Sequence, residues 1–378
     1  MTDTNDTDVN RSEIVFLYDA VDANPNGNPL SSSNRPRIDP QTQQAIVTDV
    51  RLKRYLRDQL DDDGHGVYIR NVQQEGEQYT REDLLEDRLK EIDPDEYDLD
   101  EEEGENGAEQ FREDVFGEYL DNSADVRYFG ATMSLDAKNE YANHLPDHFT
   151  GPVQFSPGKS MHAVNENEEY DSLTSVIATQ SGKEQGGFDL DDHRIQYGLI
   201  RFHGLVDEHG AADTKLTSED VERLDTLCWR ALKNQTISRS KIGQEPRLYC
   251  RVEYGEESFH LGGLDKDLSL DEGESDSDEE LRNVRDLAVD IDEFVDRLEG
   301  ASEQIERIRV VASDVLRFTH TGGEPGGPEL FYDALRDAVG DDTGANVDEE
   351  GGIVEVIDVY EEHSKTRPAS DDSDGGVE

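Results

Sequence analysis

Positive charge is what this 378-residue sequence has least of: 36 lysines and arginines stand against 91 aspartates and glutamates, a formal net charge of −55. Hydrophobic residues make up only 33% and aromatics 7%. Low hydrophobicity with high net charge is the signature of disorder. Amphipathic segments nevertheless recur along most of the chain, which disorder does not produce, and the excess acid lies mainly between and outside them. The sequence therefore reads as a folded protein built for a cytosol of molar salt. There a Debye length of about 3 Å screens most self-repulsion, and the scarcity of lysine beside arginine fits. Cysteine is almost absent. Cys228 and Cys250 each sit in an apolar stretch and neither belongs to a CxxC, so they read as buried free thiols in a reducing compartment rather than as a disulfide framework. No apolar run approaches the ~18 residues that span a bilayer, and the acidic start "MTDTNDTDVN" is no signal peptide. The expectation is a soluble, cytoplasmic protein with no membrane partner.

What is present falls into segments. "EIVFLYDAV" (13–21) is apolar on both faces, as a central strand requires. "AIVTDVRLKRYLRDQL" (45–60) reads as a helix with Leu52, Tyr55, Leu56 and Leu60 on one face and Thr48 or Asp49 as its cap. "VYIRNV" (67–72) reads as the next strand. Residues 74–123 are acidic, with short helical patterns near 81–91 and 110–120, and 92–109 has the composition of a solvated loop. "DVRYFGATMSL" (125–135) and "GPVQFSPGKSMHAV" (151–164) each read as a strand followed by a turn or loop, and 175–189 ends in a glycine-bearing flexible stretch. "IQYGLIRFHGLVD" (195–207) is a long strand. "TSEDVERLDTLCWRAL" (217–232) is a helix capped by Ser218, and "PRLYCRVEYG" (246–255) is another strand. Strand–helix–strand thus occurs twice, at 13–72 and 195–255. The fold class is α+β, with an RRM- or ferredoxin-like βαβ-βαβ core and residues 74–194 as an insertion. A C-terminal α+β extension fills 256–363: an apolar stripe over 281–298, strands at 304–314 and 352–360, and a helix at 328–339 between them. Residues 1–12 and 364–378 read as flexible acidic or polar tails.

Against this background two stretches are basic. Residues 31–60 carry six bases (Arg35, Arg37, Arg51, Lys53, Arg54, Arg57) and three acids; residues 230–251 carry six bases (Arg230, Lys233, Arg239, Lys241, Arg247, Arg251) and one acid. The plainer explanation is ion pairing with nearby acidic insertions. The functional one is that both islands, equivalent in the two half-units, line one surface that holds phosphates, with Ser238 and Ser240 adding hydroxyl donors. Relatives of such a fold read single strands by stacking and backbone contacts.

The string "DANPNGNP … RPRIDP … TDVRLKRYLRD", followed by "SRSK" after the second helix, resembles the backbone subunit of type I CRISPR Cascade complexes, the Cas-seven family of the RAMP superfamily, in a version closest to subtype I-B. The resemblance covers 13–60 well, 125–255 in outline and the C-terminal third weakly. Where the family pattern has a glycine after "RPRIDP", this chain has Gln43. The resemblance implies an RRM-like palm with a helical finger insertion and a thumb-like loop. It also implies several copies along one crRNA, target DNA paired to the guide, other Cascade subunits as partners, and no catalytic residue, cofactor or metal. Carried over by position, Arg35, Arg37, Arg51, Lys53 and Arg54 would contact guide phosphates. Ser238, Arg239, Ser240 and Lys241 would join them, as would Asn26 and Asn28 of the stiff "NPNGNP" turn. Lys159 and His162 in "SPGKSMH" would sit on the thumb, with Met161 as an apolar wedge.

The competing enzyme reading is a RAMP-type endoribonuclease that processes CRISPR transcripts or cleaves target RNA. Its candidates are weak. His144 and His148 are four apart but flank Pro146, which opposes a regular helix. "TGGEPGG" (321–327) lacks the longer glycine-rich pattern of the processing nucleases, and no GK[ST] phosphate loop occurs. Asp19 and Asp22 as paired cleavage carboxylates compete with a plainer role as solvated turn residues.

Overall fold

The computed structural model describes residues 8–27, 34–70, 73–74, 77–78, 80–89, 92, 105–132, 148–167, 173–175, 188–190, 193–235, 241–271, 280–341 and 352–365. An eight-stranded sheet organises them. Its strands are β1 (Ser12–Ala23), β2 (Gln44–Val47), β3 (Val153–Phe155), β4 (Gly158–Ala163), β5 (Ile195–Val206), β6 (Gln244–Tyr254), β7 (Ile305–Ala312) and β8 (Val354–Val356). Their spatial order is β8-β7-β6-β1-β5-β4-β2, with β3 also paired to β5.

β1 is central because both its faces are apolar. Ile14, Phe16, Tyr18 and Ala20 enter one buried cluster, Val15 and Leu17 the other. It pairs antiparallel with β5 (Phe16 opposite Phe202) and with β6 (Phe16 opposite Tyr249). Helix α1 (Asp49–Asp62) and helix α2 (Ser218–Lys233) cover the first face. Leu52, Tyr55, Leu56 and Leu60 of α1, with Val221, Leu224, Leu227, Cys228 and Ala231 of α2, lie in its cluster. The opposite face is covered by residues 264–271 and 280–298, with Phe294 and Leu298 from helix α3 (Asp292–Gly300), and by helix α4 (Pro328–Val339), with Phe331 and Leu335. The helices Arg81–Arg88, Glu105–Asp121 and Ala124–Phe129 build a third, smaller core around Leu85, Phe111, Val115, Tyr119 and Val126. Both cysteines are free and buried, and burial pushes the Cys250 thiol up to about 12.

The unit at 195–255 forms as its sequence predicts: β5, α2, β6, with both strands antiparallel to β1 on either side of it. Its helix is capped by Thr217, in a capping box with Asp220, rather than by Ser218. The first unit departs from expectation. Residues 45–47 form strand β2 instead of a first helical turn, and Thr48 caps α1 by accepting from the Arg51 amide. Residues 67–70 are not a strand. Tyr68 and Ile69 donate their amides to the buried Asp125 carboxylate at 2.7 and 3.1 Å, so no ladder is needed there. The strands that follow α1 into the sheet, well beyond the helical insertion, are β3 and then β4, both paired to β5, at Phe155–Gly204 and Ser160–Ile200.

Smaller corrections share one cause, a short pattern overridden by its neighbours. Residues 125–129 are helical, and only Gly130–Thr132 is strand. The stretch after Pro157 is strand β4, not loop. The 281–298 stripe divides into a 3-10 turn (Val284–Asp286), a short strand (Val289–Asp290) and α3. Residues 105–109, read as loop, begin a helix, and a last helix, α5 (Val359–Lys365), follows β8. The 256–363 region adds β7 and β8 to the main sheet. Of the N-terminal tail, residues 8–11 are tied down, with Val9 buried and Arg11 paired to Asp207 and Glu208. Residues 176–187 of the glycine-bearing stretch lie outside the described residues.

Candidate nucleic-acid interface

The loop leaving β1 is fastened to α1 by its own polar groups. Asn26 is buried, and its Oδ1 accepts from the Thr48 amide at 3.0 Å and the Thr48 hydroxyl at 3.2 Å. Tyr55 donates its hydroxyl to the Pro25 carbonyl at 3.4 Å. Arg51 donates to the Gly27 carbonyl, and Asn24 donates to the carbonyl of Asn34 across the loop. The stiff turn therefore sets the start of α1 and the rotamers along it. Asn26, expected as an RNA contact, is buried and uses its Oδ1 to hold the helix cap. Asn28 lies outside the described residues.

A third segment meets the same helix. The turn 241–243 enters β6 through Gly243 at φ 103°, where an added Cβ would stand 2.3 Å from the Val21 carbonyl oxygen. Only glycine allows this approach, and Val21 donates its amide to Gly243 at 2.8 Å. The turn thereby delivers Lys241, whose Nζ stands 4.8 Å from the centroid of the Tyr55 ring. The Arg51 guanidinium lies 5.9 Å from the same centroid. Burial, and then repulsion by Arg51 and Arg54, lowers the Lys241 ammonium to about 8. The two basic stretches, some two hundred residues apart in sequence, thus converge on one aromatic ring. Tyr55 itself was readable only as a core-face residue. Its spacing of four from Arg51 is the one sequence signal that it carries a cation over its ring.

The other predicted residues sort by what holds them. Arg54 is half-buried and pairs with Asp58 at 2.8 Å on the open side of α1. Arg35 is exposed, 3.5 Å from Glu166. Arg37 is exposed and makes no ion pair among the described residues. Lys53 points away from this group: it is buried, donates to Gln154 at 2.6 Å and lies against Phe129. Ser238, Arg239 and Ser240 lie outside the described residues. Lys159 is exposed on β4, opposite Arg201 in register and 4.0 Å from Asp39.

His162 is not on a loop. It is buried in β4, stacked on Tyr197 with centroids 5.4 Å apart. Its Nδ1 donates to the Ala163 carbonyl at 2.7 Å and its Nε2 accepts from the Leu199 amide at 3.3 Å. With both ring nitrogens engaged inside the sheet, it has no group left for RNA. Met161 packs against the second core cluster rather than standing out as a wedge.

Most of the 230–251 island is interior. Arg230 pairs with Asp63 at 2.7 Å, Arg247 with Asp19 at 3.0 Å and Arg251 with Asp225 at 2.7 Å. Arg309 joins the same Asp225 at 3.2 Å and Tyr249 donates to it at 2.7 Å. Burial alone would raise the Asp225 carboxyl, but the two guanidiniums hold it below the usual carboxylate range. Ion pairing is thus the right account of these arginines, with partners in the core rather than in the acidic insertion.

The enzyme candidates are dispersed. Asp19 is buried against Arg247, and burial raises its carboxyl to about 6. Asp22 is held separately by Arg194 at 3.5 Å and accepts from Asn167. His148 is exposed and His144 lies outside the described residues. Residues 321–327 link the strand Phe318–Thr319 to α4, with Gly326 bridged back to Phe318. Among the described residues no group of three His, Cys, Asp or Glu could hold a metal, and no helix is long and apolar enough to cross a membrane.

In an otherwise acidic α+β chain, Arg51, Arg54 and Lys241 form a local cationic cluster at the start of α1, the kind of patch that holds phosphates. Comparison with known proteins names the family. The profile of CRISPR-associated protein Cas7 matches residues 10–292. The CRISPR-associated protein Cas7 of Haloferax volcanii, a halophile, is 51% identical over 341 residues, spanning 88% of this chain and 95% of that protein. The chain belongs to the Cas7 family. Among solved structures, a chain of a "CRISPR RNA-guided surveillance complex, pre-nicking" aligns over 87% of this chain and all of its own length at 13% identity and a TM-score of 0.44. A chain of a "CRISPR RNA-guided surveillance complex" aligns over 87% and 99% at 13% identity and a TM-score of 0.39.

Proposed function

We propose that this protein is a non-catalytic, cytoplasmic crRNA-binding subunit that polymerises along the guide to form the backbone of a type I CRISPR Cascade complex of subtype I-B. Other Cascade subunits and target DNA paired to the guide are its partners. The observation that carries the reading is the convergence of Arg51 and Lys241 on Tyr55, with Arg54 near enough to Lys241 to repel its ammonium, in a Cas7-family chain of net charge −55. Partly exposed cations gathered in so acidic a chain suit a phosphate backbone. In this reading β1, α1 and β4 with β5, α2 and β6 are the RRM-like palm. The helices Arg81–Arg88, Glu105–Asp121 and Ala124–Phe129 are the finger. Arg35 and Arg37 extend the cationic track, and Lys159 marks its far edge.

The test is to recover the tagged protein from its own cells and sequence the RNA bound to it. Spacer-derived RNA with repeat ends is expected, and random mRNA fragments overturn the reading. Purified protein incubated with labelled repeat RNA and with guide-complementary RNA should leave both intact. Cleavage that disappears on substituting Asp19 or Asp22 would establish the endoribonuclease instead.

A further inference from the structure

Exposed large apolar side chains are out of place on so acidic a surface. Isolated ones are ordinary on soluble proteins and need no explanation, but two here are not isolated from the cation cluster. Val50 is 68% exposed; it immediately precedes Arg51 and lies one helical turn before Arg54 on α1. Ile242 is 58% exposed and immediately follows Lys241 in the turn held by Gly243. Both strands of chain that present cations to the Tyr55 ring therefore also present an aliphatic side chain to solvent beside them.

Salt gives that pairing a purpose. At 1 M ionic strength charges separated by more than about 3 Å are largely screened, and counterion release ceases to favour phosphate binding. Burial of apolar surface is not screened, and salts excluded from the protein surface strengthen it. A groove that must hold a polyanion in molar salt needs an uncharged contribution next to its charges. The sugar and base faces of a single strand offer the matching apolar area, whereas a duplex hides its base faces.

We propose that Val50 and Ile242 are RNA-contact residues: they pack against ribose and base faces of single-stranded RNA whose phosphates lie along Arg51, Arg54 and Lys241, and they maintain the grip when salt has weakened the ionic contacts. The assignment rests on the RNA-binding reading above. It commits to RNA rather than to a second protein copy because each aliphatic side chain adjoins a surface cation, which suits an anionic ligand.

The test uses the RNA-bearing assembly recovered from cells that express tagged wild-type or variant full-length protein, washed at about 1 M or about 3 M KCl. RNA retained per protein is then measured. V50S/I242S should lose RNA modestly at the lower salt and about tenfold at the higher. Lys241→Ala should show its larger loss at the lower salt. V50T/I242T, closer in shape, should fall between, and circular dichroism should show each variant folded. Equal retention by V50S/I242S and wild type at both salts overturns the inference, as does an equal loss at both. So does a change in oligomer size after ribonuclease treatment, which would make the pair a contact between copies. If wild type holds no RNA at either salt, the RNA-binding reading itself fails; if it holds RNA and the double variant is unaffected, only the apolar contact does.

Discussion

The two basic stretches look alike as sequence and end in opposite environments. In 31–60 the positive residues ride on a helix and its preceding loop, and Arg35, Arg37 and Arg54 reach the surface. In 230–251 Arg247 and Arg251 stand on β6 and Arg230 on α2 beside the end of α1, and all three close on carboxylates. The difference teaches how to read charge in a very acidic chain. With 91 acids available, an arginine inside a regular element finds a carboxylate, and local net charge then reports on the core. Only cations on an outer helix face or in a tight turn remain for a ligand. Lys241 is the exception that joins the regions, because Gly243 turns it out of β6 and back toward α1.

The strongest way to break this contrast is to remove Asp225. Asp225→Ala would leave Arg251 and Arg309 buried with an uncompensated charge and Tyr249 without its acceptor. Losing one member of a buried ion pair costs about 3–5 kcal/mol, comparable to the total stability of many domains. Denaturant unfolding at fixed high KCl should show a protein largely unfolded or with its midpoint sharply lowered. A near-normal midpoint would mean that the 230–251 arginines are not committed to the core and that the two regions are alike after all.

A smaller effect sharpens the contrast from the surface side. The Lys241 ammonium titrates near 8 because burial and the neighbouring arginines disfavour its charge. Its positive charge is therefore full below about pH 7 and is lost as pH rises through the folded value. Guide retention in the assembled state should weaken by about tenfold between roughly pH 7 and pH 9.5. Lys241→Arg, charged throughout, should flatten that profile. Arg37→Ala, at an exposed residue with no ion pair among the described residues, should weaken retention only about twofold with the fold intact. A wild-type profile flat in pH would remove Lys241 from the interface.

Long, strongly patterned elements were legible in the sequence: β1, β5, α2, β7 and α4 carry enough consecutive residues of one period for burial to have only one solution. What escaped was short or decided from a distance. Val67 and Tyr68 look like a strand, but Asp125, some sixty residues on, takes the amides a ladder would have used. The strand β4 was hidden by Pro157 and Gly158, and Gly158 is there because a Cβ would stand 2.4 Å from the Phe202 ring. At the candidate site the sequence showed which segments carry cations but not which way each side chain points. Lys53 and His162 sit among residues that reach the surface, yet one faces Gln154 and Phe129 and the other faces Tyr197. Side-chain direction on a helix or strand depends on which face meets the core, and a charge count does not contain that.

The smallest expected effect lies in the turn that carries the chain from Arg37 into β2. Gln43 holds φ +56° in a turn closed by Gln43 donating to the Asp39 carbonyl and Asp39 donating to the Gln44 carbonyl, both at 2.8 Å. A left-handed conformation costs a non-glycine residue about 1 kcal/mol, partly offset here by the Gln43 amide donating to the Pro40 carbonyl at 3.1 Å. Gln43→Gly relieves the backbone strain but frees the unfolded chain. The balance should be a gain of about 0.5 kcal/mol in denaturant unfolding, with guide retention unchanged because the turn keeps its geometry. A loss of stability would show that the Gln43 side chain, not the backbone bonds, holds the turn closed. A change in retention would place this turn, and not only Arg37 beside it, against the RNA.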